Sequence, residues 1–334
     1  MTRQVKVKFV DSIKKQARLI RELLSPEIEL VDSDNPDYLF YSVFNSLYEH
    51  YDKKYDNCTK IFLASEATIP DFNECDYAIG EYPMVVGDRY FQKPYIAPQK
   101  SDKFDQEIDN SYFNRKFCNF IYSNESNGNG AVLRKEFCQA LMKYKNVDCP
   151  GQVLNNMKDA IEPRSGKWAV GKREFIKNYK FTIAFENVNT PGMVSEKILD
   201  AFKCKSVPIY WGPKDVYNIY NSEAFIDCSG LTIPEMVEKV IEIDQDDEKY
   251  LKMLKANPIN PKFDFDWEIR MKEFLIDILD GNRPKYFKNA LGRDAGTNAA
   301  NELLEIDNTF WMKCHRFKKM ILTKLKRLNN KFKR

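Results

Sequence analysis

The sequence predicts an α/β protein of two domains, each a mainly parallel sheet with helices packed on it. Three observations lead there. Short apolar runs recur along the chain and alternate with stretches of helical spacing. A polar stretch at 98–116, "PQKSDKFDQEIDNSYFNRK", interrupts the series like a linker. The chain has 334 residues, 43% of them hydrophobic and 13% aromatic, too many for one average domain and enough for two cores.

The elements follow in order. "VKVKFV" (5–10) alternates as a strand does, and "KKQARLIRELL" (14–24) places Ala17, Ile20 and Leu24 on one helical face. Strand-like runs follow at 28–31, 37–44, 60–65 and 76–80. Beyond the linker a second series opens with "FCNFIYS" (117–123) and a helix over 132–145. It continues with a strand over 179–185, a helix over 195–205, the strand "SVPIYWG" (206–212) and a helix over 234–243. No internal repeat or low-complexity segment appears. In such a protein the natural ligand site is the cleft between the domains, at strand carboxyl ends.

Composition narrows the classes. Eight cysteines are spread singly with no C-x-x-C pair, and two histidines are too few for Cys/His zinc sites. That usage suits a reducing compartment. The start, "MTRQVKVKFVDS", carries no apolar stretch of the signal-peptide kind, and no run approaches a spanning helix, so an intracellular protein that does not cross a membrane is expected. The net charge of +3 hides an asymmetry: residues 311–334 hold ten Lys or Arg and no acid, which leaves residues 1–310 at about −7.

Two strand–loop–helix turns suit an anionic ligand. In "YSNESNGNGAVLRKEF" (122–137), Gly128 and Gly130 let backbone approach a ligand, the helix start offers free N–H groups, and Arg134 can reach a phosphate. An ordinary loop with a solvent-facing arginine fits that segment as well. In "FENVNTPGMVSEK" (185–197), Glu186, Asn187, Glu196 and Lys197 surround one turn. Ser195 caps the helix, with Val194, Ile198, Ala201 and Phe202 facing inward. A lysine in the first turn is disfavoured by the helix dipole unless an anion sits beside it. A favourable Glu196 with a solvated Lys197 explains the pattern equally.

The stretch "YKFTIAFENVNTPGMVSEKILDAFKCKSVPIYWG" (179–212) resembles the donor-binding motif of the α-1,3/4-fucosyltransferases, glycosyltransferase family 10, of bacterial type. Weaker similarity extends through "FIYSN…LRKEFCQAL" and "ASEATIPDFNECDYAIGEY…DRYFQKP", about residues 60 to 260 in all. The resemblance implies a GT-B fold, with two Rossmann-like domains facing a cleft. It implies an acceptor-binding domain over 1–108, a GDP-fucose-binding domain over 109–300 and a basic amphipathic tail over 301–334. Carried over by position, Lys197 and Arg134 hold the pyrophosphate, Glu196 contacts ribose or fucose, and Asn187 helps hold the donor. Ser195 keeps the hydroxyl of the family's threonine, and Met193 stands where bacterial relatives often have tyrosine. The general base falls on Glu66.

The activity so implied is inverting transfer of L-fucose from GDP-fucose to a hydroxyl of an N-acetylglucosamine-type acceptor, in surface-polysaccharide assembly. It needs a base for the incoming hydroxyl and a cation at the leaving diphosphate. Glu66 follows a strand predicted to be buried, where partial desolvation would suit a base, although an exposed loop acid fits the local pattern too. Neither Asp32/Asp34 nor Asp264/Asp266 follows a strand as a metal-bridging pair does, so no metal or other cofactor is expected to be required, Mn²⁺ or Mg²⁺ at most stimulating. His50, in "LYEHYDKKY", and Arg89 and Tyr90, in "DRYFQKPYI", are candidates for the acceptor glycan, and equally for packing.

In 311–334, Trp311, Cys314, Phe317, Ile321, Leu325, Leu328 and Phe332 form an apolar stripe among lysines and arginines, which suits the anionic inner face of the cell membrane. The alternative is a helix packed on the body. Nucleic acid is not expected as a partner, because the body is acidic and carries no recognition motif. Two other readings stay open: a GT-B transferase using another nucleotide sugar, and a noncatalytic nucleotide-sugar-binding protein. The acceptor, the α-1,3 or α-1,4 linkage and the oligomeric state are not encoded in any recognisable motif.

Overall fold

A computed structural model describes residues 2–11, 14–43, 49–105, 107–126, 128–157, 161, 168–286 and 318. They form two compact units. Unit 1 takes the described residues of Met1–Gly80, Val85–Phe91 and Glu268–Arg334, and unit 2 takes those of Glu81–Met84 and Gln92–Trp267.

Unit 1 contains β1 (Arg3–Val10), α1 (Lys14–Leu24), β2 (Ile28–Asp32), β3 (Tyr38–Tyr41), β4 (Thr59–Leu63), β5 (Tyr77–Gly80) and β6 (Tyr90–Gln92). Its sheet runs β2-β1-β3-β4-β5-β6, with β1 to β5 parallel. In the "VKVKFV" run, Val5 and Val7 are buried while Lys6 between them stays exposed, the alternation of a sheet with one face better covered than the other. Thirteen residues at the far end of the described chain complete the unit. They form α8 (Trp267–Leu279), which buries Met271, Phe274, Leu275, Ile278 and Leu279. Phe274 meets Tyr77 edge-on at 6.2 Å, and the Tyr38 hydroxyl donates to the carbonyls of Ile278 and Leu279 at 3.1 Å.

Unit 2 holds β7 (Lys116–Asn119), α2 (Asn129–Leu141), β8 (Val147–Asp148), α3 (Trp168–Ile176), β9 (Tyr179–Phe185), α4 (Glu196–Lys203) and β10 (Val207–Trp211). The chain goes on through α5 (Val216–Ile219), β11 (Ile226–Asp227), α6 (Ile233–Gln245) and α7 (Asp247–Lys255). Its sheet, β11-β10-β9-β7-β8, is parallel throughout. β9 lies at the centre with all seven residues buried, which is why "YKFTIAF" reads as a continuous apolar run. Its one charge, Lys180, pairs with Asp244 at 3.0 Å and lies over the Tyr250 ring. Two parallel α/β sheets are the architecture the sequence predicts, and they are the Rossmann-like pair of the GT-B class.

The units do not divide where the linker suggested. Instead of a single joint at 108/109, the chain passes between units at 80/81, 84/85, 91/92 and 267/268. The polar stretch 98–116 hides an apolar set: Phe104, Ile108, Tyr112 and Phe113 pack on the unit 2 cores. Arg115 donates to the Lys205 carbonyl at 2.6 Å and ties the stretch down. α8 returns to unit 1, and 301–334 lies outside the described residues apart from Lys318. No helix among the described residues is long and apolar enough to cross a membrane, and the seven described cysteines are free and buried.

Phe181 sits at the middle of the unit 2 core, with ring centroids 5.7 Å from Phe117 and 5.6 Å from Tyr250. Phe181→Ala is expected to destabilise unit 2 by about 3–5 kcal/mol in urea unfolding, through lost transfer energy and the cavity left behind. Val170→Ala, at an exposed site, should stay within about 0.5 kcal/mol.

Candidate functional site

In unit 2 the strand order reverses between β7 and β9: β8 lies beyond β7 on one side, and β9 and β10 lie on the other. The loops leaving the carboxyl ends of β7 and β9 therefore lie at the switch point, where an open parallel sheet usually has its ligand crevice. The two turns singled out in the sequence are these two loops.

They are pressed together by backbone. Gly130 N–H donates to the Asn187 carbonyl at 3.0 Å. A Cβ on Gly130 would lie 2.2 Å from the Glu186 carbonyl and 2.6 Å from Trp211, and Gly128 holds a left-handed φ of +93° against Asn187. Neither position admits a side chain, so the glycines serve the approach of loop to loop.

Arg134 projects from α2 into this junction with only 1% of its surface exposed. One terminal nitrogen donates to Asn187 Oδ1 at 2.6 Å and the other to the Asn124 carbonyl at 2.6 Å, while the guanidinium lies 3.9 Å above the Tyr122 ring. Tyr122 is itself anchored by its hydroxyl to the Ile183 and Phe185 carbonyls. Burial lowers the Arg134 pKa against the pull of Tyr122 and Glu186, and the side chain stays cationic. Arg134 thus presents Asn187, whose side chain is exposed, and places a positive charge beneath the crevice.

The second cluster stands at the start of α4. Glu186, directly after β9, is 3% exposed. Its Oε1 accepts from Ser195 N–H at 2.7 Å, and its Oε2 accepts from the Ser195 hydroxyl at 2.7 Å and from Lys197 Nζ at 3.0 Å. Lys197 Nζ also donates to Ser195 Oγ at 2.8 Å. Ser195 is the helix cap, accepting from Lys197 N–H at 3.5 Å. Glu196 is exposed and Met193 half-buried in the loop before the cap. Ser195, Lys197, Arg134 and Asn187 are therefore gathered at one crevice in unit 2. Glu186, given no task by the sequence, is the group on which Ser195 and Lys197 converge. Its available signal was an acid at the end of a fully apolar strand, eleven residues before a lysine that the helix dipole disfavours.

The candidates in unit 1 fare differently. Glu66 lies in the loop after β4, exposed, with its carbonyl accepting from Thr68 N–H at 2.6 Å. The desolvation expected of it is not supplied by its neighbours in unit 1. His50 is buried between Tyr41 and Tyr51, at ring distances of 4.3 and 4.2 Å. Its Nδ1 is 2.7 Å from Asp11 Oδ2, and its Nε2 faces Glu74 at 3.9 Å. Arg89 ties the 72–76 loop by donating to the carbonyls of Phe72, Cys75 and Asp76, and Tyr90 packs on Phe72 at the rim of the core. All three side chains are spent on packing within unit 1. The two Asp-x-Asp pairs are likewise engaged: Asp32 with Arg21, Asp34 with Lys8, Asp266 with Lys100, while Asp264 accepts from Asp266 N–H. Among the described residues no three His, Cys, Asp or Glu side chains gather as a metal site.

Comparison with known proteins adds sequence and fold relatives. Residues 114–263 match the model of the glycosyltransferase family 10 (fucosyltransferase) C-terminal region, and residues 5–97 match the α-(1,3)-fucosyltransferase FucT N-terminal domain. The chain is 28% identical over 243 residues to the α-(1,3)-fucosyltransferase FucT of Helicobacter pylori, covering 62% of this chain and 48% of that protein. It is 28% identical over 127 residues to GDP-fucose protein O-fucosyltransferase 3 of Xenopus tropicalis, covering 36% of this chain and 27% of that one. The chain thus spans about half or less of these relatives' length. Among solved structures, an α1,3-fucosyltransferase crystallised with GDP superposes with a TM-score of 0.67 at 23% identity, over 86% of this chain and 93% of that one.

The His50 network carries a pH dependence. Burial lowers the His50 pKa, but the hydrogen bonds to Asp11 and then Glu74 outweigh it and leave the pKa above the ordinary value. The network's stabilisation is then full below about pH 6.5, the unfolded value, and is lost as pH rises through the higher folded value. Wild type should therefore lose stability relative to His50→Asn between pH 6 and pH 9 in thermal melts, the gap narrowing as pH rises. A gap that widens over that range would contradict the assignment.

Proposed function

Because the chain belongs to glycosyltransferase family 10, we propose that it is an inverting fucosyltransferase that moves L-fucose from GDP-fucose to a hydroxyl of an N-acetylglucosamine-type acceptor of the N-acetyllactosamine or Lewis kind. The observation that carries this reading is the part-exposed Lys197 ammonium in the first turn of α4, at the strand switch point of unit 2. A diphosphate there meets that cation, with the buried Arg134 charge behind Asn187. Ribose or fucose hydroxyls then fall to the exposed Asn187 and Glu196, with Met193 in the same loop.

Chemically the two halves of the reaction are separate tasks. As the anomeric C–O bond breaks, charge gathers on the leaving diphosphate, and a fixed ammonium stabilises it without reorganising. We assign this task to Lys197, so no metal is required. The incoming hydroxyl loses its proton to a carboxylate, and Glu66, in the loop after β4, is the proposed base. The basic stripe of 311–334 would hold the enzyme on the inner face of the cell membrane, in the cytoplasm, where surface polysaccharide is assembled. A second reading, binding of a nucleotide sugar without catalysis, draws on the exposure of Glu66.

Calorimetry with GDP, UDP and CMP tests the donor: GDP should bind at least about tenfold more tightly than the others, and preference for UDP would point to another sugar donor. Glu66→Gln should keep GDP affinity and lose about 10²–10⁴-fold in turnover on N-acetyllactosamine- or glucose-terminated acceptors; unchanged turnover removes Glu66 as the base. Deleting 311–334 should release the protein from phosphatidylserine vesicles and leave turnover on soluble acceptors intact. Vesicle binding that survives the deletion rules the tail out.

A further inference from the structure

The hydrogen bonds around Glu186 have a forced direction. An ammonium has three N–H donors and no acceptor. Two of those on Lys197 are occupied, by Glu186 Oε2 at 3.0 Å and Ser195 Oγ at 2.8 Å. Ser195 has a single hydroxyl proton, and it goes to Glu186 Oε2 at 2.7 Å, so Ser195 Oγ receives from Lys197 and cannot donate to it. Glu186 Oε1 is held by Ser195 N–H. One N–H remains on Lys197, whose side chain is 17% exposed while that of Glu186 is 4% exposed.

We infer that Glu186 is a positioning residue for the proposed transfer, locking the Lys197 ammonium so that its third N–H faces the diphosphate of the donor. This rests on the donor assignment made above. Lysine is ordinarily a mobile point charge on a four-carbon stem. Left free, it would follow the diphosphate and bind the ground state and the departing leaving group about equally, which does not raise kcat. Held by two acceptors, it offers a donor fixed where charge develops. The carboxylate also offsets the repulsion between the ammonium and the positive end of α4. It does so from the buried side, which leaves the remaining N–H toward the crevice. A chain that needed only charge at this point would not require a buried acid fastened to both groups of the cap.

The test uses the whole chain with Glu186→Gln, Glu186→Asp and Ser195→Ala, measuring GDP Kd by calorimetry, kcat with GDP-fucose and N-acetyllactosamine, and Tm. Glutamine keeps the shape but turns an N–H₂ group toward either Ser195 N–H or Lys197, so the lock opens. Expected is a loss in kcat of about tenfold or more with GDP Kd changed less than about threefold, since position rather than charge is removed. Glu186→Asp, which keeps the charge, should regain part of the kcat. Ser195→Ala removes one of the two acceptors and should show a smaller loss of the same kind. An unchanged kcat in Glu186→Gln, or Kd and kcat falling together with Tm in all variants, overturns the inference. If Glu186→Gln does not fold, Ser195→Ala decides: kcat must fall while Kd holds, and an unchanged kcat overturns the lock. Failure of the wild type to bind GDP is a separate outcome and counts against the donor assignment instead.

Discussion

A carboxylate that leaves water at the end of a buried strand is stable only if donors replace the lost hydration. Glu186 finds three of them, and all come from the first residues of α4. That single group joins β9 to α4 across a loop containing a proline and a glycine, and it fixes where the helix begins. The crevice of unit 2 takes its shape from this joint. The orientation of Lys197, the cap at Ser195 and the course of the loop carrying Met193 all follow from it.

The other wall depends on the same economy of buried polar groups. Arg134 is enclosed, yet its terminal nitrogens find Asn187 and the Asn124 carbonyl, and its flat face finds Tyr122. A cation hidden in this way serves a ligand through what it holds and through its field, which decays slowly in a poorly hydrated junction. In the proposed donor site, two cations of different exposure would divide the work of holding an anion. Lys197 is available for direct contact, and Arg134 keeps Asn187 in place. Gly128 and Gly130 allow the two walls to touch, since any side chain there would collide with carbonyl oxygens of the other loop.

Much of this was legible in the sequence because the signals are local. A central parallel strand is covered on both faces, so "YKFTIAF" had to be a continuous apolar run. Strand–loop–helix order and a serine cap are likewise short-range, and they located both turns of the site. The predicted helices over 14–24 and 234–243 depend on spacing alone and appear as α1 and α6. What was not legible involved partners far apart in the chain. His50, Arg89 and Tyr90 read equally as acceptor contacts or as packing, and their partners, Asp11, the 72–76 loop and Phe72, are connected to them by no spacing rule. The stretch 98–116 looked like a linker because its apolar residues are scattered among polar ones, and only packing shows Phe104 on one cluster of the unit 2 core and Ile108, Tyr112 and Phe113 on another.

By itself the sequence determined the α/β class, the positions of the strands, the two turns at the site and, through its motifs, the family. These follow from periodicity, capping and the short-range chemistry of neighbouring residues, all written along the chain. Tertiary structure alone decided which charges meet. Arg134 turns inward, Glu186 becomes the anchor of Lys197, and α8 leaves unit 2 to complete unit 1. The reason is physical: the cost of burying a charge is settled only when its partner arrives, and that partner is chosen by the folded chain.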